Sequence, residues 1–87
     1  MIFSKLQVQV KKQFDVYTVD QLVRIASRFQ SDIHLEYNGK QVDAKSIMGI
    51  FTLLIAVGST VVISAMGNDY QQALEAISAY ITQPPNA

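Results

Sequence analysis

Ser46 is the residue whose surroundings best suit covalent chemistry. It stands directly before Ile47, Met48, Ile50, Phe51, Leu53 and Leu54, where a hydroxyl oxygen can accept a hydrogen bond from the first free backbone N–H groups of a helix. A phosphate on it would add roughly −1.5 to −2 charges at a helix start, where backbone donors favour anions. Other chemistry-bearing side chains are few. His34 is the sole histidine and there are no cysteines, so disulfide and thiolate chemistry are excluded. One histidine with scattered carboxylates lacks the spacing of a metal site. The sequence shows no Ser/His/Asp arrangement, phosphate-binding glycine loop or basic and aromatic stripe, and no cofactor is implied.

The elements that must position Ser46 follow from periodicity. Leu6, Val8 and Val10 alternate with Lys5, Gln7, Gln9 and Lys11, which predicts a strand with one buried face. After a loop from Lys12 to Tyr17, the spacing of Val19, Leu22, Val23, Ala26 and Phe29 gives one helical stripe. Thr18 and Gln21 have capping-box spacing, while Asp15 could cap a slightly earlier start; either choice puts Asp15 at or near the helix N-terminus. Ile33, Leu35 and Tyr37 then alternate with His34 and Glu36, and Asn38-Gly39 suits a two-residue hairpin turn into a short strand, Lys40 to Ala44. Thr60 to Met66 is apolar on both faces at Val61, Val62 and Ile63, as a central strand would be. Gly67, Asn68 and Asp69 break it and cap a last helix whose stripe is Tyr70, Leu74, Ile77 and Ile81, stopped by Pro84 and Pro85.

The helix behind Ser46, expected from about Ser46 to Leu54, has more apolar surface than one buried face needs. At about 100° per residue, Ile50, Leu53 and Leu54 fall on one side and enter the core, while Ile47, Met48 and Phe51 spread onto the other. An apolar patch beside a helix start marks a docking surface; alternatively, Ser46 is an ordinary cap and a loop or a second copy closes the patch.

The order is βαββαβα, an α+β fold in which helices cover one face of a four-stranded antiparallel sheet and the face carrying Gln7, Gln9, His34 and Glu36 is wet. Eighty-seven residues, 49% hydrophobic, suit one domain spanning residues 1 to 87. Seven basic and seven acidic residues cancel, so no bulk attraction to nucleic acid or an anionic membrane is expected. There is no signal-peptide pattern, and the longest apolar run, Ile50 to Val57 interrupted by Thr52, falls short of the ~20 residues of a membrane span. A cytoplasmic protein is the expectation. The only tail is Pro84-Pro85-Asn86-Ala87.

Lys45-Ser46-Ile47-Met48-Gly49, preceded by Leu35-Glu36-Tyr37-Asn38-Gly39-Lys40, resembles the regulatory-serine region of the HPr family, the histidine-containing phosphocarriers of the bacterial sugar phosphotransferase system. It is most similar to the proteins of low-GC Gram-positive bacteria and their catabolite-repression paralogues, without a gap from about Phe14 to Tyr80. The resemblance implies the open-faced β-sandwich of that family. It also implies phosphorylation of Ser46 by the HPr kinase/phosphorylase, and docking of the phosphorylated form as corepressor on a LacI-type catabolite control protein. The partner-binding residues so implied are Asp15, Tyr17, Asp20, Lys45, Ile47, Met48 and Phe51.

The chain departs from the family where HPr proteins carry Gly-Leu/Ile-His-Ala/Thr-Arg-Pro. Gln13, Phe14, Asp15, Val16, Tyr17 and Thr18 stand there, and only the hydrophobic second position survives. Asp15 occupies the phosphohistidine position and Tyr17 that of the supporting arginine. A neutral imidazole forms a phosphoramidate suited to reversible relay. A carboxylate would have to form an acyl phosphate without that arginine, and with Asp20, expected in the first helical turn, adding negative charge. Relay through this loop is therefore not expected. Asp15 is either a helix cap or a fixed charge imitating a phosphorylated histidine, and Tyr17 is either packed on Phe14 or a contact residue. His34, on the wet strand face, does not replace the missing histidine. Phe51 stands where a methionine is common, giving a stiffer anchor. Two other functions stay open: a phosphocarrier using Asp15 or an unexpected site, and an assembly module that dimerises through the second helix.

Overall fold

The structure, a computed structural model, describes residues 3–85. It runs β1 (Phe3–Gln9), α1 (Val16–Ala26), β2 (Asp32–Tyr37), β3 (Lys40–Asp43), α2 (Ile47–Phe51), β4 (Thr60–Met66) and α3 (Tyr70–Thr82), the βαββαβα order expected. The four strands form one antiparallel sheet in the order β1-β4-β2-β3. β4 is thus a central strand, as its two apolar faces require. Asn38 and Gly39 both take positive φ, 52° and 78°, the conformation a tight hairpin demands. Of the expected tail, Asn86 and Ala87 lie outside the described residues.

The core lies between the sheet and the helices. Ile33, Leu35, Val61, Ile63 and Ala65 from the strands meet Val19, Leu22 and Ala26 of α1 and Leu74, Ile77 and Ile81 of α3, all buried. Leu6, expected inside with Val8 and Val10, is exposed; β1 is an edge strand, so no neighbouring strand flanks that side chain. On the other sheet face Gln7 and Gln9 are exposed, but His34 and Glu36 are only half-exposed and Ser64 is nearly covered. Long side chains on adjacent strands shield the middle of that face.

The largest departure concerns α2. It ends at Phe51 rather than Leu54, because the Thr52 hydroxyl donates to the Gly49 carbonyl at 2.6 Å and Leu53 N donates to Ile50 three residues back. Leu53 and Ile55 are both buried, and the chain between them swings outward. Leu54, expected in the core, is 83% exposed with φ +53°. That left-handed conformation costs an L-residue about 1–2 kcal/mol.

Asp69 was expected to cap α3, but its side chain makes no cap bond. Its Oδ2 accepts from Gln30 N at 2.8 Å, and its Oδ1 accepts from Ser31 N at 2.9 Å and from the Ser31 hydroxyl at 2.5 Å. One carboxylate therefore ties the α1–β2 connection to the start of α3. These bonds, the Ser31 hydroxyl first, hold the Asp69 carboxyl below its ordinary pKa. Beside it Gly67, at φ +148°, approaches so closely that a Cβ would lie 2.6 Å from Ser31 Oγ and 2.7 Å from Ser31 Cα.

Gly67→Ala should therefore destabilise the fold by about 1–3 kcal/mol, read as a lower Tm. Asp69→Ala should lower Tm at neutral pH. Because the folded pKa is depressed, this stabilisation is complete above the unfolded value, near ~3.9, and disappears as pH falls through the folded value. Melting curves of both proteins should converge in strong acid, and a gap that stayed constant with pH would contradict the clamp.

Candidate docking and phosphorylation site

α1 begins where the chain leaves the sheet. Asp15, extended at φ −83° and ψ −177°, is its N-cap, and its Oδ1 accepts from Thr18 N at 2.9 Å. The earlier of the two expected starts is thus correct, and Thr18 lies within the helix, buried rather than capping. The Thr18 backbone bond, first among the causes, lowers the Asp15 carboxyl pKa, so at neutral pH the site carries a fixed carboxylate. Such a group is a weak nucleophile. Asp20 falls in the second turn instead of the first, since the helix starts at Val16, and its Oδ2 accepts from Arg24 Nε at 2.9 Å. It therefore adds little net charge beside Asp15.

Asp15 lines an open cavity of about 440 Å³ with Lys12, Tyr17, Gln21, Tyr80 and Gln83, among others. Lys12 and Tyr80 were not foreseen. Lys12 is 8% exposed, with its Nζ 3.8 Å from the centroid of the Tyr80 ring, a cation–π arrangement. Burial lowers the Lys12 pKa and raises that of Tyr80. A lysine in a loop and a tyrosine off the helix stripe leave no periodic signal, so only folding brings them together. Tyr17 is 70% exposed in the first turn of α1. It is not buried against Phe14, which packs at the margin of the core.

Ser46 caps α2 as expected. It is extended at φ −114° and ψ 112°, its Oγ accepts from Gly49 N at 3.1 Å, and the side chain is half-buried. A Cβ at Gly49 would sit 3.1 Å from that Oγ, so the glycine keeps space open around the hydroxyl. Ile47 and Met48 are exposed, Met48 by 74%, and Phe51 is partly buried against the core. Lys45 does not project its charge: its Nζ donates to the Phe29 carbonyl at 2.8 Å and its backbone N donates to Asp43 Oδ1 at 2.8 Å.

The two areas adjoin. α1 packs on α2, and a shallow groove lined by Gln13, Phe14, Ile50, Phe51, Leu54 and Ile55 joins the loop before Asp15 to the helix after Ser46. His34 lies elsewhere, in a cross-strand row with Asp43 and Ser64. That row resembles a nucleophilic triad only in composition, since Asp43 Oδ1 accepts from Lys45 N rather than orienting the imidazole. Among the described residues no three His, Asp or Glu side chains form a group that could hold a metal ion, and no helix is long and apolar enough to cross a membrane.

The depressed Asp15 pKa sets a second pH signature. Its cap contributes fully above the unfolded carboxyl value of about 3.9 and is lost as pH falls through the folded one. Asp15→Ala should melt below wild type at neutral pH and match it in strong acid, while Asp15→Asn, whose amide oxygen can still accept from Thr18 N, should lie between.

Residues 4–83 match the family model described as PTS HPr component phosphorylation site. The chain is 40% identical over 83 residues to the HPr-like protein Crh of Bacillus subtilis (strain 168), covering 95% of this chain and 98% of that one. Among solved structures, the phosphocarrier protein HPr from Bacillus anthracis str. Ames superposes with a TM-score of 0.87 at 42% identity, covering 91% of this chain and 96% of that one. A crystal structure of Bacillus subtilis Crh, described as a domain-swapped dimer, matches with a TM-score of 0.78 at 38% identity over 100% of both chains.

Proposed function

This chain belongs to the HPr family of the phosphotransferase system, and from that premise we propose that it is a serine-phosphorylated regulator of carbon catabolite repression rather than a histidine phosphocarrier. The observation that carries the proposal is the pairing of two helix caps. Asp15 fills the phosphohistidine position with its oxygen bonded to Thr18 N, and Ser46 offers a hydroxyl beside exposed Ile47 and Met48.

In the proposed reaction the Ser46 oxygen attacks the γ-phosphorus of ATP bound to the HPr kinase/phosphorylase. The P–O bond to the β-phosphate breaks, ADP leaves, and the hydroxyl proton passes to a base of the kinase. The lone pair that accepts from Gly49 N is not the one consumed, so the cap can persist while the new phosphoryl oxygens meet the other free N–H groups at the start of α2. α2 has only five residues, so these local donors outweigh any macrodipole. The product is a dianion with Ile47, Met48 and Phe51 beside it. That combination suits a partner offering a cation within apolar sockets, the role we assign to a LacI-type catabolite control protein.

Asp15 and Tyr17 form the second contact area, where the fixed carboxylate stands in for a phosphorylated histidine. Asp20 and Lys45, whose charges are engaged by Arg24 and by the Phe29 carbonyl, frame the surface. A second reading, an assembly that pairs two copies, draws on the dimeric Crh structure and would show as a doubled mass in light scattering that Ser46→Asp leaves unchanged.

Intact-mass analysis after two incubations tests the proposal. HPr kinase with ATP should add one phosphate, abolished by Ser46→Ala, whereas enzyme I with phosphoenolpyruvate should add none. An adduct from enzyme I that Asp15→Ala removes would restore the carrier, and no adduct from either would leave the assembly module.

A further inference from the structure

Leu54 combines two properties that are each unfavourable alone. Its backbone is left-handed, at φ +53°, where the Cβ of an L-residue crowds the backbone and glycine or asparagine is the common occupant. Its side chain is 83% exposed and recovers almost nothing from the core. A leucine held in a strained conformation and presented to water is a sign of use rather than of packing. Its neighbours indicate what that use is. Leu54 walls the groove that Phe14, Ile50, Phe51 and Ile55 complete, and Phe51 leads at helical spacing back to Ile47 and Met48. Val57, three residues further on, is also exposed.

The charge pattern narrows the occupant. No Asp, Glu, Lys, Arg or His occurs from Ser46 to Asn68, and the Lys45 ammonium is bonded to Phe29. Once Ser46 carries phosphate, this stretch presents a single dianion within a neutral apolar surface. The partner surface that faces this stretch has one cationic site bordered by apolar side chains, and it continues past Phe51, the last residue of α2, to the turn at Leu54. We infer that Leu54 is a specificity-determining anchor for the catabolite control protein, seated in an apolar socket of that partner at the far end of the patch that begins at Ser46. The inference rests on the corepressor reading above and adds to it the residue that the strained turn serves.

Strain and use make opposite demands, which gives a sharp test. Leu54→Gly and Leu54→Asn both suit the left-handed backbone and remove no buried contact, so both should melt at or above the wild-type Tm. After phosphorylation of Ser46 by HPr kinase, each should bind the purified catabolite control protein roughly tenfold more weakly or worse, as withdrawal of an interface anchor does, measured by calorimetry. Equal affinity in both variants, with phosphorylated wild type binding, would overturn the anchor and leave the corepressor reading standing. A lower Tm in both would also overturn it, by showing that Leu54 serves the fold. Failure of phosphorylated wild type to bind would remove the corepressor reading itself, and the anchor with it.

Discussion

A helix start leaves backbone N–H groups without partners, and a side chain close at hand can satisfy them. α1 and α2 meet that requirement with different chemistry. Asp15 meets it with a permanent carboxylate, Ser46 with a neutral hydroxyl. The same physical need is therefore met by one charged and one neutral cap, on helices that pack together. At α3 no side chain caps the start, since Asp69 turns away to hold Ser31 and Gln30. That start serves the architecture, whereas Asp15 is exposed and Ser46 half-buried at the other two.

Much of this was legible in the sequence where periodicity or turn chemistry is strong. Alternation at Ile33, Leu35 and Tyr37, the Asn38-Gly39 turn and the two-faced apolar run at Val61 to Ile63 gave the strands and the central place of β4. Ser46 was legible as a cap because a small hydroxyl residue before an apolar run has few other meanings. What failed was local competition among hydrogen bonds. The Thr52 hydroxyl bonds back to Gly49 and closes α2 one turn early, which no hydrophobic pattern records. The same event turned Leu54 from a core residue into an exposed one. Asp69 failed similarly, because a carboxylate before a helix looks like a cap whether it bonds its own helix or a loop 38 residues away.

The candidate site was legible in part. Asp15, Tyr17, Ile47 and Met48 lie at the surface as a docking face requires. Asp20 and Lys45 were named for their charges, and the structure shows those charges engaged by Arg24 and by a backbone carbonyl. Such pairings depend on helix phase and on a contact between Lys45 and the end of the α1 region, neither of which composition reveals. Lys12 against Tyr80 is of the same kind, joining a loop to the last helix across most of the chain.

The strand order has a temporal side as well. β1 touches the sheet only through β4, with Phe3 opposite Met66 and Gln9 opposite Thr60. During synthesis the first strand must wait until six of the seven elements have emerged before its strand partner exists. The β2–β3 hairpin, closed by two residues, can form at once. Closing so long a loop ahead of any gain makes the β1–β4 pairing a late event, and for that interval the nascent protein carries an apolar edge in search of its ladder.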